Sequence, residues 1–155
     1  MPQTLEVGSK APDFSCAADG DRQVSLADYA GKKLVIYFYP KDDTPGCTTE
    51  AIEFTAKHDA FAAANTEIVG VSADSVEKHE KFKTKHNLGV TLLSDPDHKM
   101  LKAYGVWVEK NMYGRKYMGI ERATFLVGED GKILNIWRKV RVKGHVDAVL
   151  ETVSA

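Results

Sequence analysis

The sequence predicts an α/β fold in which a central mixed sheet, flanked by helices, is entered through an N-terminal β-hairpin. Three observations carry that prediction. The run Leu34-Val35-Ile36-Tyr37-Phe38-Tyr39 is continuous, apolar and rich in β-branched and aromatic residues, as a strand buried on both faces requires. Two further short apolar runs, 68–72 and 90–93, alternate with helical stretches, which is the spacing of parallel βαβ units. Near the end, Gly128-Glu129-Asp130-Gly131 separates apolar runs at 123–127 and 133–140, a turn-rich connector suited to an antiparallel hairpin.

Residues 14–17 and 23–26 flank Asp19-Gly20-Asp21 and read as the N-terminal hairpin, on the strength of the Asp-Gly turn signal. The strand at 34–39 leads into a helix expected from Pro45 to about Asn65, within which Cys47, Glu50, Phe54 and Phe61 fall on one inward stripe. After the strand at 68–72, Asp74 is the expected N-cap, with Glu77 three residues on approximating a capping box, and the helix runs to His86. The strand at 90–93 precedes a helix opened by Asp95-Pro96. A last helix carries Val146, Val149, Leu150 and Val153 on one face. Parallel units first, an antiparallel hairpin next and a closing helix last is the thioredoxin-like order. No repeat, low-complexity tract or linker breaks the chain, so a single domain over residues 1–155 is expected, long enough to bury a core without disulfides or metals.

A net charge of −1 gives no electrostatic reason to expect nucleic acid or an anionic membrane as partner. No apolar run approaches the roughly 20 residues that span a bilayer. The first eight residues, Met1 to Gly8, lack the charged and apolar regions of a secretion signal, so cytoplasmic residence is expected. Cys16 and Cys47 make neither a zinc site, nor a C-x-x-C pair, nor a disulfide framework, and suit a reducing compartment. His58, His79, His86, His98 and His145 contain no i, i+4 pair, and His79-Glu80 lacks the second histidine of H-E-x-x-H. Solvated helix faces account for them, and no metal is expected. Without a Gly-rich phosphate loop or dinucleotide fingerprint, no cofactor is expected either. Residues 138–143 alternate Arg and Lys with valine and read as an exposed strand edge charged against aggregation. Trp107, Met112, Tyr113, Tyr117 and Met118 make the connector before residue 123 unusually apolar, for packing beside a site or for docking a reductant or second subunit.

Cys47 is where chemistry is expected. Pro40 stops the strand, Thr44 is a good N-cap and Pro45 suits the first helical position, which makes Cys47 the third helical residue. Its sulfur then lies among backbone N–H groups that have no helical partner, near the positive end of the helix dipole, and both favour thiolate over thiol. A core cysteine would need neither the capped helix start nor the Pro-Gly dipeptide.

The pattern Pro-x-x-x-Thr-x-x-Cys, filled by Pro40, Thr44 and Cys47, resembles the active-site signature of the peroxiredoxins, thiol peroxidases that reduce hydroperoxides. The resemblance extends from Ala11-Pro12-Asp13-Phe14 through 38–48 to Met118-Gly119-Ile120-Glu121-Arg122-Ala123-Thr124-Phe125, and points to the bacterioferritin comigratory protein or peroxiredoxin Q branch. It implies a thioredoxin-like fold, Cys47 as the nucleophile that becomes a sulfenic acid, and Thr44 and Arg122 completing the peroxide pocket. Thr44 is close enough to bond the sulfur or the peroxide, beside its role as N-cap. Arg122 stands at the entrance of a buried strand, where its forked, always-charged guanidinium suits the growing negative charge on the leaving oxygen. Pro40 is expected to shape the pocket floor. Glu50, one turn after Cys47, is expected either to orient Arg122 or simply to favour the first turn of its helix.

Resolution of the sulfenic acid is where the chain departs from many relatives. The position five residues after Cys47 is Ile52, and the helix at 74–86 holds no cysteine. Only Cys16 remains, and its alternation with Phe14 suggests burial. The simpler expectation is a one-cysteine mechanism with an external thiol, such as a thioredoxin or glutaredoxin, in a monomer or weak homodimer. Two alternatives stand beside it: Cys16 as the resolving residue, and a non-enzymatic redox sensor or chaperone.

Overall fold

The computed structural model describes residues 5–154, so residues 1–4, half of the stretch judged to lack a secretion signal, and residue 155 lie outside the described residues. In chain order the elements are β1 (Ser15–Ala18), β2 (Arg22–Ser25), β3 (Lys33–Phe38), α1 (Pro45–Ala56), α2 (His58–Ala63), β4 (Thr66–Ser72), α3 (Val76–His86), β5 (Thr91–Ser94), α4 (Lys99–Ala103), β6 (Trp107–Met112), β7 (Arg115–Ile120), β8 (Ala123–Val127), β9 (Ile133–Trp137) and α5 (His145–Ser154). Seven strands form one sheet in the order β2-β1-β5-β4-β3-β8-β9. β3 runs parallel to β4 and antiparallel to β8, and β4 runs parallel to β5, giving the mixed, thioredoxin-like sheet that the sequence predicts.

β3 sits inside that sheet and is buried on both sides, which is why its sequence shows no polar alternation. Leu34, Ile36 and Phe38 face one core with Tyr104 and Phe125; Val35, Tyr37 and Tyr39 face the other with Phe54, Phe61, Val146 and Val149. Removing each such side chain from water stabilises the fold by about 1.5–3 kcal/mol. The Tyr37 ring lies over Gly70 of β4, where a Cβ would come within 2.6 Å of Tyr37 Cζ, so the glycine makes room for the aromatic.

Several expected boundaries move for local reasons. The helix from Pro45 breaks at Lys57, just after Thr55, whose hydroxyl donates back to Ala51 O at 2.8 Å, a bond that bends helices. Phe54 and Phe61 stay buried across the break. Ser75, not Asp74, caps α3, accepting from Lys78 N at 3.2 Å. Asp95-Pro96 opens a turn instead of a helix, and α4 begins only after His98, held in the left-handed region at φ 63°. β9 ends at Trp137 because Lys139 has φ 49°, so residues 138–143 are a loop and not a strand edge.

The apolar connector folds into its own two-stranded sheet, β6 with β7. Its two-residue turn is Tyr113-Gly114, both at positive φ, the backbone of a hairpin turn that usually selects Asn or Gly. A tyrosine in that position hid the hairpin from a reading based on turn composition. Among the described residues, no helix is long and apolar enough to cross a membrane.

Candidate active site

The pairing of β3 with β8 places Phe38 opposite Ala123. The last residue of β3 and the first of β8 are therefore neighbours, and the chain segments just beyond them, 40–47 and 121–122, meet at one end of the sheet. This brings Arg122 to Cys47 across 75 residues of sequence. Arg122 Nη2 donates to Cys47 Sγ at 3.2 Å, and Arg122 Nη1 donates to Glu50 Oε1 at 2.7 Å. One guanidinium thus bridges the sulfur and a carboxylate, using the fork that lysine lacks.

Cys47 is the third residue of α1, as the sequence predicts, and is 1% exposed. Gly46 beside it leaves room for the arginine, since a Cβ there would lie 3.2 Å from Arg122 Nη2, close enough that the guanidinium would have to give by a few tenths of an ångström. Thr44 has the extended backbone of an N-cap, but its side chain makes no capping bond. Its hydroxyl donates to Lys41 O at 2.8 Å and closes the preceding turn. Pro40 is exposed, a rim position and not a buried floor.

Glu50 is not a first-turn acid. It lies in the second turn, wholly buried, with Oε2 lacking any hydrogen-bond partner. Burial pushes its carboxyl up to about 7, although Arg122 pulls the other way. The 2.7 Å ion pair alone would indicate a firmly ionised carboxylate; full burial outweighs it here, because the second oxygen has nothing to replace water. Burial likewise works against the charge of Arg122, but the negative groups of Glu50 and Cys47 overcome it and raise its pKa.

Three neighbours were not visible in the sequence. His145 on α5 is buried, its Nε2 2.7 Å from Thr124 Oγ1 and 4.0 Å from Glu50 Oε2. Burial and then the charge of Arg122 lower its pKa to about 4. Lys110 of β6 feels the same site: its pKa falls through burial, then through Arg122. The 138–143 loop packs here too, with Val140 N donating to Arg122 O at 2.9 Å. His79 is also fully buried, bonded to Asp42 and Leu93, so neither it nor His145 belongs to a solvated helix face.

Cys16 lies elsewhere. It belongs to the core with Leu34, Ile36 and Phe38, whereas Cys47 belongs to the core with Val35, Tyr37 and Tyr39, across the sheet. β1 is three strand steps from β3, roughly 14 Å at the usual interstrand spacing. Burial and then Asp95 push the Cys16 thiol up to about 11.

The AhpC/TSA family pattern matches residues 7–136. The chain is 53% identical over 149 residues to the peroxiredoxin Bcp of Bacillus subtilis (strain 168), covering 96% of this chain and 95% of that one. Among solved structures it is similar to the Xanthomonas campestris bacterioferritin comigratory protein, described for its alkyl peroxide reduction activity, with TM-score 0.89 and 45% identity over 97% of this chain and 96% of that one. A Xylella fastidiosa PrxQ cysteine-to-serine mutant gives TM-score 0.93 at 38% identity, covering 98% of this chain and 97% of that one. The sheet order, the Arg122 bridge to Cys47 and these relatives converge: the chain belongs to the AhpC/TSA family and is a peroxiredoxin of the Bcp/PrxQ type, an enzyme that reduces peroxides at the expense of thiols.

Proposed function

We propose that Cys47 is the peroxidatic nucleophile, with Arg122, Thr44, Glu50 and Pro40 completing its site in one domain spanning residues 1–155. The Cys47 thiolate attacks one oxygen of the hydroperoxide along the O–O axis, forming Cys47–SOH as the other oxygen leaves as hydroxide or alkoxide and takes a proton to become water or alcohol. The observation that supports this most is the Arg122 guanidinium held between Cys47 Sγ at 3.2 Å and Glu50 Oε1 at 2.7 Å. A cation in that position favours a negative sulfur before the reaction and faces the leaving oxygen during it. Glu50 holds the fork in place. The lone pairs of the Thr44 oxygen, whose proton is directed to Lys41 O, can accept from the peroxide O–H and orient it. Pro40 stands at the rim.

The sulfenic acid is discharged by an outside thiol of the thioredoxin or glutaredoxin type. A disulfide requires α-carbons within about 7 Å, and the placement of Cys16 across the sheet argues against an internal partner. A monomer in the cytoplasm suits this cycle, with both cysteines free. Mass spectrometry after one equivalent of peroxide tests the reading: oxidation confined to Cys47, reversed by a dithiol, is expected. A dominant Cys16–Cys47 disulfide would overturn the one-cysteine mechanism.

A further inference from the structure

The turn at 40–44 delivers the chain from β3 to Cys47, and α3 grips that turn at two adjacent residues. His79, fully buried, places Nε2 2.8 Å from Leu93 O and Nδ1 2.6 Å from Asp42 Oδ2. Leu93 O can only accept, so Nε2 carries a hydrogen; a second proton must lie between Nδ1 and Oδ2 for so short a contact to be attractive. Asp42 Oδ1 accepts from the Tyr39 hydroxyl at 2.6 Å, and Asp42 N donates to Asp74 Oδ2 at 2.8 Å, an oxygen that also accepts from Ser72 Oγ. Asp43, in the left-handed region at φ 60°, accepts from Lys85 Nζ at 2.7 Å and His86 Nε2 at 2.9 Å. None of these partners belongs to α1.

The two halves of the catalytic cycle make opposite demands on this turn. A small peroxide reacts with Cys47 in its buried, arginine-bonded position. The second half is Cys47–SOH plus RSH giving Cys47–S–S–R plus water, and a bulky RSH has no path to a residue that is 1% exposed unless the first turn of α1 lifts. The failure route is Cys47–SOH plus ROOH giving Cys47–SO2H plus ROH, and it needs only a second small peroxide.

We propose that Asp42 and His79 are positioning residues, a buried latch that holds the 40–47 segment in its peroxide-reactive form and whose release sets how the sulfenic acid divides between thiol and further peroxide. The proposal rests on the assignment of Cys47 as the peroxidatic residue. Removing either partner leaves the facing atom of the other, Asp42 Oδ2 or His79 Nδ1, buried without its partner, so the link between α3 and the turn is lost whichever side is changed. The Asp43 pairs, largely in solvent, contribute less.

His79→Phe fills most of the same space without ring nitrogens. Stopped-flow oxidation of Cys47 by hydrogen peroxide is expected to slow about tenfold, while discharge of its sulfenic acid by glutathione quickens about tenfold and sulfinic acid per turnover falls. A merely structural role would lower both rates or leave both alone. Asp42→Asn keeps an acceptor for Tyr39 and a donor for Nδ1 but removes the charge, and should move both rates the same ways by about threefold. If His79→Phe fails to fold, Asp42→Asn carries the comparison. In either variant, rates that fall together or stay within twofold overturn the latch. Wild-type Cys47 left reduced by one equivalent of peroxide overturns the site assignment, and the latch with it.

Discussion

Cys16 and Cys47 are both buried, at 7% and 1% exposure, and their surroundings point them to opposite chemistry. Cys16 extends from β1 toward Met100, to whose sulfur its thiol donates at 3.9 Å, beneath a surface hollow lined by Asp13, Asp95 and Asp97. Its thiol, pushed up to about 11 by burial and Asp95, stays protonated. Cys47 has the smaller exposure and an arginine on its sulfur, in the first turn of a helix, near the positive end of its dipole. Burial makes a cysteine inert only where nothing compensates a negative sulfur; donors and positive charge decide reactivity.

The largest effect that sharpens this contrast is Cys47→Ser. The change is nearly isosteric, so the far-ultraviolet spectrum should be unchanged while peroxide turnover disappears. More than a few per cent of wild-type turnover would place the chemistry elsewhere.

Arg122→Lys keeps the charge and loses the fork that reaches both Sγ and Glu50. Stopped-flow oxidation of Cys47 should slow by about 10²-fold, the scale of losing one preorganised donor. Gly46→Ala pushes the guanidinium away by crowding Nη2 and should cost less, about tenfold, with the charge intact. An unchanged rate in Arg122→Lys would show that charge alone distinguishes the two cysteines.

The charged side of the comparison also leaves a mark on stability. Glu50, raised from 4.5 to about 7, binds an extra proton in the folded state, so its contribution to stability is present below pH 4.5 and is lost as pH rises to about 7. His145, lowered from 6.5 to about 4, works in the opposite sense: its contribution is present above pH 6.5 and is lost as pH falls toward 4. Between about pH 4.5 and 6.5 the two slopes oppose each other. Urea denaturation of Glu50→Gln should therefore show stability rising more steeply with pH across that window than in wild type, and His145→Gln should show it rising less or falling. Parallel curves for wild type and both variants would contradict the burial argument for both groups.

The smallest effect belongs to Cys16→Ser. Turnover with an external thiol should be unchanged, and stability should fall by about 1 kcal/mol from a hydroxyl placed in an apolar site. Loss of turnover with wild-type folding would break the comparison by giving Cys16 a catalytic part.

Much of this architecture was legible because it rests on short-range rules. The run at 34–39 had to be a strand buried on both faces, and Thr44-Pro45-Gly46-Cys47 had to start a helix with the cysteine in its first turn; both hold within a residue. The inward stripe of Cys47, Glu50, Phe54 and Phe61 survives even the break at Lys57, because packing requires only that those faces agree. Other features resisted for identifiable reasons. The β6–β7 hairpin turns on Tyr113-Gly114, where composition gives a weak signal. His79 and His145 looked like solvent-facing residues of polar helices, since nothing nearby in sequence announces the acceptors that bury them.

Helix capping, strand burial and turn geometry act over a few residues, so the local elements and the place of Cys47 in the first turn of α1 could be read from the chain alone. What the Cys47 sulfur meets depends on contacts between distant segments. Arg122 reaches Cys47 because β8 lies beside β3 in antiparallel register, and Asp42 meets His79 because α3 packs on β5, where His79 bonds Leu93 O, within reach of the turn that follows β3. Those contacts join residues 75 and 37 positions apart, and their partners are chosen by sheet order, which is settled by the burial of the whole core and not by any one segment.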